Sequence, residues 1–237
     1  MGPYPRADLT PRALLGLLRW DPGYRIGMAR PSEDRLWEGD AEVDEAVFRQ
    51  VLRRTAGALR RARIPHLFMG GLASAVLGRP RWTHDIDVLV GPEDAPRTLQ
   101  VLAGEGFRTQ RTDPQWLFKA MRDDVLVDVI FLSDGRVRLD EDMAARARTE
   151  EIEGIRVPVI CPEDLIVIKA LVHKERSPRH WFDALALLRR NDLDWDYLLS
   201  RARRYNPLRV LSLLYYARSS DQVVPGEAIR SLQGEAA

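Results

Sequence analysis

The chain has 237 residues, which is enough for one large domain or two small ones with a buried core. Its 36 Lys and Arg residues nearly balance 35 Asp and Glu residues, and the net charge of +1 excludes a global electrostatic attraction to nucleic acid or membrane. The single cysteine excludes an internal disulfide, and neither a signal peptide nor an apolar run of about 18 residues is present. We therefore expect a cytoplasmic protein without a membrane partner.

Residues 1–43 contain five prolines and are predicted to form an N-terminal arm with one short helix that Thr10 would cap. A long amphipathic helix is predicted from about Asp44 to Arg63, ended by Pro65. An apolar strand over residues 66–70 follows.

Two groups of arginines could form basic patches for an RNA acceptor or a nucleotide. They could also be the solvated sides of amphipathic helices, which is the preferred interpretation because both groups fit such a polar side. The first group is Arg53, Arg54, Arg60, Arg61 and Arg63, and the second is Arg201, Arg203, Arg204 and Arg209.

A glycine pair, Gly70 and Gly71, lies between the apolar strand and the helix-like segment LASAVLG. Two glycines leave backbone amides bare at a helix N-terminus, where phosphate oxygens bind well. Ser74 falls near the first turn and could add a hydroxyl, although a serine on a short helix is more often solvated. We expect a phosphate-binding turn here.

Two carboxylates alternate with aliphatic residues in the segment DIDVLV. A strand has a side-chain period of two, so Asp85 and Asp87 leave the same face while Ile86 and Val88 point into a core. Like charges on one half-buried face repel unless a cation lies between them. Mg²⁺ is the simplest such partner, since it takes oxygen ligands from one or two carboxylates together with substrate phosphates. Arg81 and Thr83, just before this strand, are candidate loop contacts to a substrate.

A third carboxylate, Asp128, is the only polar residue in the segment VLVDVIF. Burying an ionised carboxylate without a partner costs several kcal/mol, so this residue also indicates a metal or a paired cation. We place it beside Asp85 and Asp87, where three aspartates on adjacent strands could hold two metal ions. The flanking segments are predicted to be a helix over residues 92–104 and the strands FRTQR and WLFKAMR, the second of which joins VLVDVIF at a turn of Asp123-Asp124. A later hairpin is predicted to turn at Glu153-Gly154.

The order of Gly70-Gly71, Asp85-x-Asp87 and a later isolated Asp128 resembles the DNA polymerase beta-like nucleotidyltransferase superfamily. The resemblance implies that the two glycines hold a nucleoside triphosphate and that the three aspartates ligate metal, two Mg²⁺ ions or alternatively Mn²⁺. Asp128 would also suit the role of general base. Many members have serine at the second glycine position, where this chain has Gly71.

The segment PEDLIVIKALVHKERSPRHWFDALALL, residues 162–188, is similar to the helical segment of bacterial toxin-type and abortive-infection nucleotidyltransferases. There a lysine and an acidic residue recur, and Lys169 and Asp183 fit those places, while His180 stands where Asp is common. From the residues alone, Lys169 lies in an almost wholly apolar helix. Its ammonium therefore either reaches solvent or meets a phosphate, and we count it among the nucleotide-binding residues.

The expected fold is α+β, with a small mixed sheet flanked by helices. It divides into an N-terminal arm at residues 1–43, a nucleotidyltransferase core at 44–160 and a C-terminal helical region at 161–237. The resemblance implies metal-dependent transfer of a nucleoside monophosphate from an NTP to a hydroxyl. A toxin-like enzyme with an RNA or tRNA acceptor, and with a cognate antitoxin as a further partner, is favoured. The alternatives are an aminoglycoside- or lincosamide-type antibiotic-modifying enzyme and a catalytically silent nucleotide-binding module, although a silent module has no physical reason to keep three uncompensated carboxylates.

Overall fold

The computed structural model describes residues 44–134, 136–175 and 177–234, so the predicted N-terminal arm and its capping residue lie outside the described residues. The described residues form one sheet of seven strands with both parallel and antiparallel pairs. In chain order the strands are β1 His66–Phe68, β2 Asp85–Val90, β3 Arg108–Asp113, β4 Leu117–Arg122, β5 Val125–Ile130, β6 Arg148–Ile152 and β7 Ile155–Val159. Their spatial order is β3-β4-β5-β2-β1-β7-β6.

Helices flank this sheet and follow it, so the predicted mixed sheet with flanking and C-terminal helices is confirmed. The helices of the described residues are α1 Glu45–Arg61, α2 Gly70–Leu77, α3 Ala95–Gly104, α4 Glu141–Ala145, α5 Pro162–Val172, α6 Arg179–Arg190, α7 Trp195–Tyr205, α8 Pro207–Ser219 and α9 Gly226–Gln233. Within the described ranges, none of them combines the length and the apolar character that a membrane span requires.

Helix α1 begins where its sequence provides a cap. The Asp44 side chain accepts hydrogen bonds from the backbone N–H groups of Ala46 and Val47, at 2.8 and 3.3 Å. Apolar residues recur on one side of the helix, and Phe48 and Leu59 are among those buried in the core. The helix is therefore held against the body by one face and leaves its arginine-rich face to solvent.

The central strands β2 and β5 are parallel neighbours, and each is paired with a further strand on its other side. In their register Asp85 pairs with Leu126 and Asp87 with Asp128. Strand β1 runs antiparallel to β2 on the far side, with His66 opposite Val90. The start of β2 and the end of β1 therefore lie at the same edge of the sheet, which is also where α2 begins.

Two predicted turns are found where the sequence puts them. Asp123 and Asp124 join β4 to β5 with φ of 49° and 60°, and Glu153 and Gly154 join β6 to β7 with φ of 49° and 73°. Positive φ at both central residues matches the twist of paired strands, and Asp and Gly adopt it at low cost. The strand predicted over residues 66–70 is shorter than expected, because the backbone turns at Gly70 with φ of 61° and starts a helix there.

The C-terminal helices share one hydrophobic core with the sheet. Arg201 on α7, expected in a basic patch or on a solvated helical side, is instead buried, with only 2% exposed. Its Nε donates to Asp164 Oδ1 and its Nη1 to Asp140 Oδ2, each at 2.6 Å. Two carboxylates compensate the buried guanidinium, so this residue joins α7 to α5 and to the start of α4.

Candidate active site

Three carboxylates, Asp85, Asp87 and Asp128, meet at one edge of the sheet. Asp87 and Asp128 are direct neighbours in the parallel pair of β2 and β5, and Asp85 lies two residues earlier on the same face. All three line a cavity of about 560 Å³ that also reaches Gly70 and Gly71. The structure thus brings together the aspartates and the glycine pair that the sequence singles out.

The negative charges of these aspartates repel one another. Burial, together with the charges of Asp85 and Asp128, raises the pKa of Asp87 from 3.8 to about 7. Burial also raises the pKa of Asp128 to about 6, where the charge of Lys119 lowers it and that of Asp85 raises it. Asp128 Oδ1 is buried and has no hydrogen-bond partner among the described residues. An orphaned carboxylate oxygen beside two further carboxylates is a donor set that fits a divalent cation.

The glycine pair is required by close packing on both sides. Gly70 has a φ of 61°, and a Cβ there would overlap the carboxylate of Asp87. A Cβ on Gly71 would overlap the hydroxyl of Thr83, which itself donates to Asp85 Oδ1 at 2.6 Å. Thr83 therefore fills the space that a serine side chain at position 71 would need. The Gly71 amide donates to Asp87 Oδ2 at 3.3 Å, so the turn and the carboxylates form one unit.

Ser74 has a different place from the one predicted. Its side chain is fully buried, and its hydroxyl donates to the carbonyl of Gly70 at 2.7 Å. It does not line the cavity. A serine one helical turn after the glycine finds the carbonyl four residues back, so its hydroxyl supports the turn instead of facing the cavity.

Lys169 lines the cavity, but its ammonium group is held by a buried carboxylate. The residue is 4% exposed, so the alternative that its ammonium reaches solvent is wrong, and its Nζ donates to Asp183 Oδ2 at 3.1 Å. Asp183 is fully buried and also accepts from Arg81 Nε at 3.1 Å and from Arg81 Nη2 at 3.0 Å. Arg79 adds a third cation at 3.6 Å.

This cluster is electrostatically balanced. Burial alone would raise the pKa of the Asp183 carboxyl, but hydrogen bonds and charge from Arg81 and Lys169 bring that pKa below its usual value. Burial lowers the pKa of Lys169, and the charge of Asp183 opposes the change. Because both Lys169 and Arg81 line the cavity, Asp183 fixes two cations on the wall beside the aspartates.

Sequence reasoning missed several residues around the cavity. Lys119 on β4 lies directly opposite Asp128, and an isolated lysine in the apolar strand LFKAMR was the available signal. Trp116 lines the cavity with 40% of its surface exposed, and its indole N–H donates to Asp113 Oδ2 at 2.8 Å. Exposed Lys174 and Arg179 also line it. No local pattern marks these last two, since they follow only from how the helices pack.

His180, noted for its unusual position, lies in the same wall. Burial lowers its pKa to about 4, and the charges of Lys169 and Arg179 act in the same direction. The ring is therefore neutral at neutral pH and adds no charge to the site.

A mixed sheet that gathers three aspartates beside a glycine turn and a cationic wall is the arrangement that the sequence predicts for a nucleotidyltransferase. The sequence itself supports this class, because residues 38–219 match the profile of a family described as uncharacterised nucleotidyltransferase. The chain therefore belongs to that nucleotidyltransferase family. Comparison with curated proteins gives no significant match.

Three solved structures illustrate the similarity in fold. A nucleotidyltransferase structure from Thermotoga maritima has 21% identity and a TM-score of 0.44, covering 60% of this chain and 96% of that chain. The antibiotic-resistance factor ANT(2″)-Ia has 18% identity and a TM-score of 0.44, covering 81% and 92%. MenT4, a nucleotidyltransferase toxin from Mycobacterium tuberculosis, has 15% identity and a TM-score of 0.41, covering 76% and 68%. These similarities are too low to indicate an acceptor.

Proposed function

We propose that this nucleotidyltransferase moves a nucleoside monophosphate from an NTP to a hydroxyl of RNA, with divalent cations held by Asp85, Asp87 and Asp128. The observation that carries the proposal is the group of three carboxylates that repel one another in one cavity. Two of them have a raised pKa, and one oxygen has no partner. Such a group is costly to the fold unless it serves a bound cation.

The donor set favours a hard cation. Carboxylate oxygens suit Mg²⁺ and also Mn²⁺, and Mg²⁺ is commonly held by one or two carboxylates plus substrate phosphates. When bound, the ions would supply the positive charge that offsets the triphosphate and the developing charge at the reacting phosphorus. Although the three carboxylates share one cavity, no three His, Cys, Asp or Glu side chains of the described residues are close enough together to hold a metal ion by themselves. We therefore expect the ions and the NTP to bind together, with phosphate oxygens completing the ligand set.

The triphosphate is assigned to the wall beside the aspartates. Lys169 and Arg81 are held there by Asp183, and the Gly70-Gly71 turn begins a helix whose amide end favours anions. Lys169 and Arg81 would orient the phosphates, and pyrophosphate would leave toward the glycine turn. Because Asp183 is buried behind both cations, its role is to position them and not to contact the substrate.

Proton transfer is assigned to Asp128. In the reaction the acceptor oxygen forms a bond to the α-phosphorus, the bond from that phosphorus to the pyrophosphate oxygen breaks, and the hydroxyl proton is released. Burial raises the pKa of Asp128 to about 6 in the metal-free protein, so the group is ionised at neutral pH. Its Oδ1, which has no hydrogen-bond partner among the described residues, could accept this proton. Lys119, opposite it on β4, opposes the rise in this pKa and so keeps the group ionised.

An exposed aromatic ring completes the cavity. Trp116 is fixed by its hydrogen bond to Asp113 and presents part of its ring beside Ile130 in the lining. A nucleic-acid base can stack on such a ring, and stacking does not distinguish one base from another. We assign this end of the cavity to a base, either of the NTP or of the acceptor.

Positive charge in the cavity lining favours RNA over an aminoglycoside as the acceptor. Exposed Lys174 and Arg179 line the cavity, where they would attract the phosphates of a polynucleotide and repel a polycationic antibiotic. A lincosamide acceptor would depend on apolar contacts instead. The RNA assay below separates these acceptors.

The test is incubation of the purified protein with each α-labelled NTP, Mg²⁺ and total tRNA. Asp85→Asn/Asp87→Asn is the inactive variant, and Asp123→Asn/Asp124→Asn, which removes two carboxylates from an exposed turn, is the matched control. Label on RNA that is lost only in the first variant supports the proposal. Label that persists in that variant contradicts the site. Metal-dependent NTP binding without labelled RNA contradicts the RNA acceptor and directs the search to small molecules and protein hydroxyls.

A toxin-like role has its own test. Induced expression in a bacterial host should arrest growth if the acceptor is an essential RNA, and the Asp85→Asn/Asp87→Asn variant should not. Normal growth with active protein present would contradict the toxin role. If growth does arrest, a neighbouring gene that restores it identifies the antitoxin.

A further inference from the structure

A second cavity, of about 420 Å³, lies at the opposite end of β1 from the active site. Strand β1 starts at His66, which lines this cavity, while the chain reaches the active-site glycines after the strand ends. The four charged residues in the lining are all arginines, namely Arg53, Arg60, Arg63 and Arg156. We call it the arginine cavity.

The helix α1 shapes this cavity by its sequence period. Arg53, Ala56, Gly57 and Arg60 stand at positions i, i+3, i+4 and i+7, so they share one side of the helix. Small residues lie in the middle and arginines at both ends, which leaves an apolar depression between two cations. The two arginines are about 10 Å apart along the helix, from seven residues at 1.5 Å each. This separation is larger than a single phosphate group and suits several phosphates along a nucleic-acid strand.

Unlike Arg201, these arginines are not committed to the fold. All four are exposed, and none of their guanidinium groups has an ion pair or hydrogen bond within residues 44–134, 136–175 and 177–234. The acid nearest in register is Glu151, the cross-strand neighbour of Arg156. Four guanidinium groups around one depression raise the local positive potential in a chain whose net charge is only +1. Guanidinium groups bind phosphates through paired hydrogen bonds and stack on bases.

His66 adds a specific feature. Its Nδ1 lies 2.8 Å from the carbonyl of Ile64, so Nδ1 carries the proton and donates. Burial lowers the pKa of this histidine, so the ring is neutral and Nε2 is an acceptor. Nε2 is buried and has no partner among the described residues. A hydroxyl donor such as a ribose 2′-OH would satisfy it.

We propose that the arginine cavity binds the backbone of single-stranded RNA at a site separate from the catalytic cavity. The arginines would contact successive phosphates, the small residues would admit a base or sugar, and His66 would accept from a 2′-hydroxyl. The inference deepens the proposed function, since it names RNA as the molecule held. Binding at this site needs neither NTP nor metal.

The test is equilibrium binding of a fluorescent oligouridylate to the full chain, measured by anisotropy across a series of salt concentrations without Mg²⁺ or NTP. Each phosphate contact on a single strand contributes about 0.7 to the slope of log K against log salt. The Arg53→Gln/Arg60→Gln variant should therefore reduce the magnitude of the slope by about 1.4 and weaken binding. The control Arg190→Gln/Arg218→Gln removes two exposed arginines outside both cavities and should leave the slope unchanged. Arg156→Gln, on the other side of the cavity, should give about half the effect.

The outcomes are distinct. An unchanged slope in the Arg53→Gln/Arg60→Gln protein, or an equal loss in the control, overturns the site. Equal affinity for the matching DNA overturns the ribose contact, and polyglutamate binding as tightly as RNA overturns RNA as the ligand. The Asp85→Asn/Asp87→Asn variant should bind RNA normally, so a failure of nucleotidyl transfer and a failure of RNA binding can be told apart.

Discussion

The buried carboxylate of Asp183 provides a stringent test of the structure, because it holds two cations of the catalytic cavity. Asp183→Asn keeps the shape of the side chain and removes its charge. Lys169 would then lose its anion while remaining 4% exposed, whereas Arg81, with 20% of its side chain exposed, can turn partly to solvent. Removing one partner of a buried ion pair costs about 3–5 kcal/mol. We expect a loss of about 3–4 kcal/mol in the free energy of unfolding, nearer the lower end because of Arg81.

The same residue predicts a pH effect whose sign can be worked out. The pKa of Asp183 is lower in the folded protein than in the unfolded chain. The unfolded state therefore binds the proton first as the pH falls, so the contribution is complete above the ordinary value of 3.8 and is lost as the pH drops through the folded pKa. The Asp183→Asn variant should lack this part of the acid unfolding curve.

Urea unfolding followed by circular dichroism measures both effects. Glu45→Gln is the control, because its pair with Arg49 is solvent-exposed and is worth about 0.2–1 kcal/mol. The double variant Lys169→Gln/Asp183→Asn should be more stable than the two single losses imply, since the buried ammonium and its carboxylate partner are removed together. A loss below about 1 kcal/mol for Asp183→Asn would refute the view that this carboxylate compensates buried cations.

The overlap between a Gly71 Cβ and Thr83 predicts that Gly71→Ala lowers the free energy of unfolding by about 1–3 kcal/mol, and that adding Thr83→Ala restores most of the loss. Urea unfolding measures both effects, and wild-type stability of the single variant would contradict this prediction. Asp87 has a folded pKa of about 7 against 3.8 unfolded, so the metal-free folded state retains a proton that the unfolded chain loses. Melting in EDTA should therefore show stability falling as the pH rises between these values, by at most about 4 kcal/mol, with a flatter profile for Asp87→Asn; a flat wild-type profile would count against the raised pKa. Trp116→Ala should raise KM for the NTP or for RNA about 5- to 150-fold, from about 1–3 kcal/mol of stacking, while Trp116→Phe stays near wild type; unchanged KM values for both substrates would exclude the stacking role.

Local patterns in the sequence predict much of this fold. The alternation in DIDVLV gives a strand with both aspartates on one face, because side chains of a strand alternate strictly. The turns at Asp123-Asp124 and Glu153-Gly154 follow from residues that tolerate positive φ. The glycine pair also marks a real backbone requirement, although the helix begins one position earlier than a strand over residues 66–70 would allow.

Two side chains make contacts that their sequence pattern does not indicate, one for a local reason and one because distant segments enclose it. Ser74 could reach a phosphate by its sequence position, yet its hydroxyl bonds to Gly70. Arg201 fits the polar side of an amphipathic helix, yet carboxylates from two other segments enclose it. A helical period shows which residues share a side, but it does not show what packs against that side.

The sequence by itself determined most of the elements and the shared face of Asp85 and Asp87, since strand period and turn residues act within a few neighbours. Only the tertiary structure decided which charges are paired. The ion pair between Arg81 and Asp183 spans 102 positions in the chain, and the position of Lys119 opposite Asp128 depends on a strand register. The physical reason is that burial sets the strength of an electrostatic interaction, and burial arises only when distant segments pack together.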